Sequence, residues 1–325
     1  MTTLRCGLIG FGMMGKNHAR VLKEVVGVEL VVIADQLLAQ GSELNGVPVV
    51  RDVSSALKYE LDCAVVAVPT AQHENVAIQM AEAGVPSLVE KPLADSVESA
   101  ERIVRAFAQS KTFGAVGHIE RFNPALQELK KRITAGDLGE IFQIATRRQS
   151  SFPGRISDVG VVKDLATHDI DTVFSLTGSD YSKVSALTAH KSGRPNEDML
   201  IATAQLANGV IVSHLVNWLS PLKERVTVVT GEVGIFIADT LRSDLTLYRN
   251  GQFDMDWESL STFRGVSEGD MTRFAFDRKE PLKAEIEAFV ACVAGGDNEN
   301  LTDLPSGLRV LAVAEKMLSS SGAAN

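Results

Sequence analysis

The chain has 325 residues, a length typical of about two domains, and its 45% hydrophobic and 22% charged content is ordinary for a globular enzyme. Its net charge of −9 argues against nucleic-acid and membrane-surface partners, so any site for an anionic substrate must be a local basic patch. No apolar run approaches a membrane span, and three cysteines without metal-site or disulfide spacing predict reduced thiols in a cytoplasmic protein.

The N-terminal segment has the pattern of a dinucleotide-binding unit. In order it predicts an apolar strand (Leu4–Ile9), a G-x-G-x-x-G turn (Gly10, Gly12, Gly15), a helix (Lys16–Val26) and a second strand ending at Asp35. In such a turn the first glycine permits the tight bend, the second leaves room for a pyrophosphate, and the third lets the helix lie close to the strand. The same glycines interrupt the apolar segment after Arg5, which argues against a signal peptide.

Asp35 indicates which dinucleotide is bound. A carboxylate at the end of the second strand, about 20 residues beyond the glycine turn, accepts hydrogen bonds from ribose hydroxyls. A 2'-phosphate would meet a like charge there, and Gln36, Leu37 and Leu38 supply no cation to offset it. We therefore expect NAD, and NADP less. The predicted cofactor contacts in this segment are Gly10, Phe11, Gly12, Met13, Met14, Gly15 and Asp35.

Strands and helices continue to alternate up to residue 120. The predicted strands are Val47–Val50, Asp62–Val68, Val85–Val89 and Phe113–Ile119, and the predicted helices are Val53–Tyr59, Ala71–Ala83 and Ser96–Ser110. This alternation predicts a Rossmann domain over residues 1–120, a doubly wound parallel sheet with helices on both faces. Ligands bind beyond the carboxyl ends of such strands. We expect further cofactor contacts from Pro69, Thr70, His73, Glu90 and Lys91, with His118 on the same rim.

Residues 121–325 change to a strand-rich pattern and predict a second, substrate-binding α/β domain. Helices are predicted at Asn123–Ile133, Leu165–Thr177, Lys283–Ala294 and Ser306–Ser319, and strands at Glu140–Gln149, Lys183–Ala189, Met199–Leu206, Val210–Trp218, Glu224–Thr230, Ile235–Ala238 and Leu245–Tyr248. Two-residue hairpin turns at Asn208–Gly209 and Asn250–Gly251 predict a large, mostly antiparallel open sheet. Its uncovered face would pair with a second subunit, and the last two helices can return to the first domain. The segment Phe253–Arg278 receives no role.

Three side chains are candidates for the chemistry. Lys91, at a strand end on the cofactor rim, could bind or relay the proton of a substrate hydroxyl, although most lysines are solvated surface charges. His168 and Asp164 are one turn apart on a predicted helix, where a carboxylate could orient an imidazole that accepts the hydroxyl proton. The alternative for Asp164 is an N-cap, and for His168 a structural hydrogen bond.

A local basic segment is the candidate for an anionic substrate. Arg147, Arg148, Arg155 and Lys163 share a stretch in which Asp158 is the single acid, and a solvated face is the alternative interpretation. Arg155 and Lys163 are, by charge alone, our candidates for contact with a diphosphate.

Together, the G-x-G-x-x-G turn with Asp35, the Glu90-Lys91-Pro92 triplet and Asp164-x-x-x-His168 resemble the Gfo/Idh/MocA family of sugar dehydrogenases. The resemblance implies an NAD-dependent oxidoreductase without a metal, usually a homodimer or homotetramer, in which Lys91 and His168 flank the reacting carbon and Asp164 holds substrate. The stretches Gly117–Pro124, Phe152–Ile156 and Asp158–Asp171 look most like the branch that oxidises C3 of UDP-N-acetylglucosamine, which adds His118 and Arg121 as expected substrate contacts. A free-sugar or inositol dehydrogenase of the same family and a catalytically silent NAD-binding regulator are the alternatives.

Overall fold

The computed structural model describes residues 3–154, 159–251, 267–297 and 299–321. Over these ranges the strands form two sheets of eight strands each. This arrangement confirms the predicted α/β class with one parallel and one largely antiparallel sheet. Across the described ranges, no helix is long and apolar enough to cross a membrane.

The first sheet is parallel at its centre. Its strands are β1 (Leu4–Ile9), β2 (Val28–Ala34), β3 (Glu43–Leu44), β4 (Val47–Val50), β5 (Cys63–Val66), β6 (Ser87–Glu90), β7 (Gly114–Gly117) and the late β16 (Thr302–Asp303). They lie in the order β16-β7-β6-β5-β1-β2-β4-β3, and only the outer pairs β16–β7 and β3–β4 are antiparallel among the described strands. The five central pairs are parallel, so their carboxyl ends meet at one edge.

Helices cover this sheet on both faces. They are α1 (Met13–Leu22), α2 (Val53–Leu57), α3 (His73–Glu82), α4 (Val97–Ser110), and, from the end of the chain, α7 (Pro281–Val293) and α8 (Leu304–Ser321). On α7, Ile286 and Phe289 pack with Cys6 and Leu8 of β1, so a late helix completes an early core. The boundary at residue 120 stays a prediction.

The second sheet is built from consecutive hairpins. Its strands are β8 (Ile141–Ser151), β9 (Tyr181–Ala189), β10 (Met199–Leu206), β11 (Ile211–Asn217), β12 (Leu219–Gly231), β13 (Gly234–Asp239), β14 (Asp244–Gly251) and β15 (Ser267–Arg273). Their order is β15-β14-β13-β12-β8-β11-β10-β9, with β8–β11 as a parallel pair. Two helices, α5 (Pro124–Thr134) and α6 (Thr167–Thr177), pack with its inner face in one apolar core, and a π-helical turn over Val162–Ala166 leads into α6.

The two predicted hairpin turns have different outcomes. At Asn208–Gly209 the chain does reverse, but over three residues: the Leu206 N–H donates to the Val210 carbonyl at 2.9 Å, and only Gly209 of the pair has positive φ (+91°). The prediction at Asn250–Gly251 was wrong, because these residues continue β14 and pair with β15. All of β15 lies within Phe253–Arg278, the segment to which the sequence analysis assigned no role.

Candidate active site

A cavity of about 780 Å³ opens at the carboxyl ends of the central strands of the first sheet and extends towards the second sheet. The predicted cofactor residues on its wall are Gly10, Gly12, Met13, Met14, Asp35, Pro69, Thr70, His73, Glu90 and Lys91, and the predicted chemical groups on it are Lys91, Asp164 and His168. Phe11 and Gly15 are not part of the wall. The cavity therefore joins the glycine turn to the three candidate catalytic side chains in one continuous space.

The glycine turn has the geometry that a dinucleotide requires. Gly10 has φ +97°, and a Cβ on it would lie 2.5 Å from the Ala67 carbonyl oxygen. A Cβ on Gly15 would lie 2.1 Å from the Gly10 oxygen, so α1 can approach β1 only without a side chain there. A Cβ on Gly12 would meet no atom within 4 Å, which leaves the space before the N-terminus of α1 open for an anion.

Asp35 is held rigidly at the end of β2. Its Oδ2 accepts from the Phe11 N–H at 2.7 Å and its Oδ1 from the Leu37 N–H at 2.8 Å. Phe11 thus acts through its backbone. The structure also brings Arg51 to this wall, because β4 lies beside β2. The sequence analysis considered only Gln36, Leu37 and Leu38, directly after Asp35, and therefore did not identify this cation.

Buried polar groups support the rim around the Glu90-Lys91 dipeptide. The ring of His73 lies between two carbonyls, with Nδ1 2.9 Å from the Pro92 oxygen and Nε2 3.0 Å from the Val68 oxygen. Glu90 Oε1 lies 2.7 Å from His18 Nε2. Burial alone would raise the pKa of Glu90, but the interaction with this imidazole outweighs burial, and the pKa lies below its ordinary value. These contacts fix the end of β6 where Lys91 leaves the sheet.

Lys91 and Asp164 form an ion pair at the cavity wall. The Lys91 ammonium donates to Asp164 Oδ1 at 2.9 Å and to the Asp164 backbone carbonyl at 2.8 Å. Asp164 lies inside the π-helical turn, and α6 has no side-chain N-cap, so the capping interpretation was wrong. The expectation that Asp164 orients His168 was also wrong, because its carboxylate pairs with Lys91. The pair fixes the ammonium instead, which a proton relay requires.

His168 presents a neutral imidazole to the same cavity. Burial lowers its pKa well below the ordinary value, and the positive charges of Lys91, Arg148 and Arg225 lower it further. Its Nδ1 is buried, and no atom of the described residues lies within hydrogen-bond distance of it. An imidazole that is neutral at physiological pH can accept a proton, so the arrangement suits a general base.

Other predicted substrate contacts lie elsewhere. Arg121 donates through Nε and Nη2 to Asp171 at 2.7–3.0 Å, and His118 is buried with Nδ1 4.0 Å from the same carboxylate. Neither side chain lines the cavity. Lys163 donates to the Asp95 carbonyl and lies 3.4 Å from Glu315, away from the cavity wall. Arg155, and Asp158 beside it, lie outside the described residues.

The predicted basic patch is not formed by the arginines of β8. Residues alternate between the two faces of a strand, so Arg147 is exposed and pairs with Glu224, whereas Arg148 is buried. Arg148 binds Asp169 at 2.8 Å and Glu120 at 2.9 Å. Both arginines are thereby paired within the protein.

Two residues on the cavity wall were not assigned a role from sequence. They are Glu120 and Arg225. Arg225 Nη1 lies 3.4 Å from Glu120 Oε1. No local pattern identifies Arg225, because it reaches the site only through the pairing of β12 with β8.

Two segments of the chain match models of one protein family. Residues 4–118 match an oxidoreductase family with an NAD-binding Rossmann fold, and residues 126–237 match the GFO/IDH/MocA C-terminal domain. Among curated relatives, inositol 2-dehydrogenase 4 of Saccharopolyspora erythraea is 32% identical over 222 residues, 65% of this chain and 65% of that protein. The UDP-N-acetylglucosamine 3-dehydrogenase of Acidithiobacillus ferrooxidans is 28% identical over 316 residues, 97% of this chain and 96% of the relative.

A solved structure of that Acidithiobacillus ferrooxidans enzyme superposes with a TM-score of 0.84 and 26% identity, covering 99% of both chains. The likeness to the inositol dehydrogenase thus spans about two thirds of each protein, whereas the likeness to the nucleotide-sugar enzyme spans both domains.

Proposed function

The chain belongs to the Gfo/Idh/MocA family of NAD-binding oxidoreductases, and on this premise we propose that it oxidises a ring hydroxyl of a nucleotide sugar to a ketone. The reaction proposed is at C3 of a UDP-N-acetylhexosamine. The observation that carries the proposal is the convergence of Lys91, Asp164 and His168 at the substrate end of a cavity whose other end is the glycine turn. The full-length similarity to UDP-N-acetylglucosamine 3-dehydrogenase supports the choice of substrate.

The residues present fit an NAD molecule. The open space at Gly12 receives the pyrophosphate, and the Asp35 carboxylate, already oriented by two backbone amides, receives the adenosine ribose. When bound, NAD supplies the acceptor for the hydride that leaves the substrate carbon.

The protein moves the proton. His168 is kept neutral by burial and by nearby cations, and it accepts the proton of the substrate hydroxyl as the C–H bond breaks. Lys91, held by Asp164, donates a hydrogen bond to the same oxygen and stabilises the negative charge that develops on it. The substrate loses a hydride and a proton and becomes a ketone; the proton remains on His168.

The test follows NADH formation on mixing the purified protein and NAD with UDP-N-acetylglucosamine, and separately with inositol and with glucose. Each reaction is repeated with 2-oxoglutarate as an additional oxidant, so that a cofactor that stays bound can still be turned over. We expect turnover with the nucleotide sugar alone. Turnover with inositol alone would favour the polyol dehydrogenase, to which the 32% identical relative points. Tight NAD binding without turnover of any of them would indicate a regulator.

A further inference from the structure

Arg225 is a cation on the substrate side of the cavity. It lies on β12 and lines the same wall as Lys91, Asp164 and His168. Its side chain keeps 35% of its accessible surface, so it is neither sealed in the core nor fully solvated. A guanidinium at this position would contact the same bound molecule as the catalytic side chains.

The sheet places Arg225 directly opposite a second arginine. In the antiparallel pairing of β12 with β8, Arg225 is the partner of Arg148, and both side chains point to the inner face. Like charges directly opposite each other destabilise a sheet unless something else compensates them. Glu120 lies against both guanidinium groups, but it does not serve them equally.

Arg148 takes most of the available carboxylate. It donates to Asp169 Oδ1 at 2.8 Å and to Glu120 Oε1 at 2.9 Å. Arg225 reaches only that same Glu120 oxygen, at the longer distance of 3.4 Å. A guanidinium carries five N–H donors, so most donors of Arg225 have no partner among the described residues.

The pKa of His168 also shows the effect of these cations. The charges that shift its pKa most are those of Lys91, Arg148 and Arg225, and all of them lower it. The imidazole therefore lies near three cations, although the chain as a whole carries a charge of −9. A planar guanidinium binds carboxylates and phosphates through two parallel hydrogen bonds, which a neutral polyol cannot match.

We propose that Arg225 binds an oxyanion of the substrate, a phosphate or a carboxylate, and thereby selects an acidic sugar derivative over a neutral sugar or polyol. The inference rests on the proposed function, since it names the substrate class of the same site. It replaces Lys163, whose side chain the structure places outside the cavity, as the candidate for anion contact. The competing explanation is that Arg225 only supports Glu120.

Binding to the NADH complex tests the proposal without requiring turnover. NADH occupies the glycine turn, so that a phosphate cannot bind there. Isothermal titration calorimetry then compares UDP-N-acetylglucosamine, which carries phosphates, with glucuronate, which carries a carboxylate, and with neutral N-acetylglucosamine. In the wild type we expect at least one acidic ligand to bind more tightly than the neutral sugar. The acidic ligand that binds identifies the source of the oxyanion.

The variant Arg225→Gln should lower the affinity for that acidic ligand by about 10- to 100-fold, as expected for lost hydrogen bonds to a charged group. The affinities for NADH and the neutral sugar should be unchanged. Arg225→Lys, which keeps the charge but loses the fork, should fall between the two. Arg147→Gln is the matched control, because Arg147 is on the neighbouring strand β8 and on the opposite face. It should behave as the wild type.

Three results would overturn the proposal: no acidic ligand bound by the wild type, unchanged affinity in Arg225→Gln, or an equal loss for NADH, acidic and neutral ligands. An equal loss for all three ligands would mean that Arg225 only supports Glu120. A different result would contradict the proposed function: the acidic ligand binds in a way that depends on Arg225, but no sugar leads to NADH formation.

Discussion

The imidazole of His168 lies on the cavity wall, and among the described residues no carboxylate forms a hydrogen bond with its Nδ1. In many hydrogen-bonded catalytic histidines an acidic residue fixes the ring and raises its basicity. Here Asp164, one turn earlier, is engaged by Lys91 at 2.9 Å, and Lys91, Arg148 and Arg225 place positive charge near the imidazole. The ring is consequently a weak base that stays unprotonated and is always ready to accept, while the ammonium provides the charge that stabilises the substrate oxygen.

This arrangement predicts both a loss of activity and a pH profile. His168→Ala and Lys91→Ala should each lower turnover by at least about 10²-fold, the lower range of general acid–base catalysis, and His168→Ala should leave NADH affinity unchanged. Because the base must be neutral, activity falls as pH falls through its pKa. That pKa is below the ordinary value, so wild-type turnover should be flat through neutrality and decline only in acid, below about pH 6.5.

Initial rates across pH and NADH fluorescence titrations check these expectations. His190→Ala is the control, since His190 is exposed on the loop after β9. Half-maximal activity at neutral pH would contradict the depressed pKa. Turnover near the wild-type level in either alanine variant would remove that residue from the mechanism.

At the scale of elements, the glycine turn meets two different requirements: Gly12 leaves room for the pyrophosphate, and Gly15 lets α1 lie close to β1. The Cβ of Gly12→Ala would enter open space, so the fold should be unchanged while NAD affinity falls by about tenfold or more, because that space receives the pyrophosphate. The Cβ of Gly15→Ala would lie 2.1 Å from the Gly10 oxygen and force α1 away from β1. This substitution should lower stability by about 1–3 kcal/mol.

Thermal unfolding without ligand, together with NAD titration, distinguishes the two glycine variants. Each variant serves as the control for the other, since both add one methyl group to the same turn. A Gly12→Ala protein that binds NAD like the wild type would show that the pyrophosphate lies elsewhere. A Gly15→Ala protein of unchanged stability would show that the turn relaxes more easily than the contact implies.

Strands made of apolar runs were predictable, and a polar strand was not. Leu4–Ile9, Val47–Val50 and Met199–Leu206 have the predicted bounds because each is a largely apolar segment. β15 (Ser267–Arg273) carries no such pattern, since its pairing with β14 determines its structure. Asn250–Gly251 has the composition of a turn, but the same pairing keeps it in the strand.

The candidate site divides in the same way. Lys91, Asp164 and His168 belong to contiguous motifs, and the structure brings all three to one cavity. Lys163 is next to Asp164 in the chain, yet the π-helical turn directs the two side chains to different surroundings. Arg225 lacks any local signal because its position depends on the β12–β8 register. Sequence spacing predicts what one turn or strand end presents, but not which distant strand supplies the facing charge.

At the scale of the whole molecule, the described residues leave part of the outer face of the second sheet exposed. Leu187, Ile201 and Ile211 are 65%, 49% and 47% exposed on adjacent strands. Ile201 pairs directly with Leu187 on one side and with Leu215 on the other, so these side chains form one continuous apolar surface. Such a surface exposed on a chain marks an interaction site. The pairing of two such faces stays a prediction, and it is the assembly expected from the sequence.

Light scattering at micromolar concentration should therefore give a mass of two or four chains of 34.9 kDa. Ile201→Lys places a charge at the centre of the apolar surface, where a partner face would have to bury it, so this variant should shift the protein towards single chains. Val26→Lys is the control, because Val26 is 92% exposed beyond the end of α1, on the other domain.

A wild type with the mass of one chain would leave the sheet face unpaired, and a multimer unaffected by Ile201→Lys would place the interface on another surface. Since α6 packs in the core on the inner face of this sheet, carries His168 and follows the π-helical turn that contains Asp164, loss of pairing should also lower turnover if the outer face stabilises the site. Comparing the mass with the turnover of Ile201→Lys decides whether assembly and catalysis are coupled through the sheet.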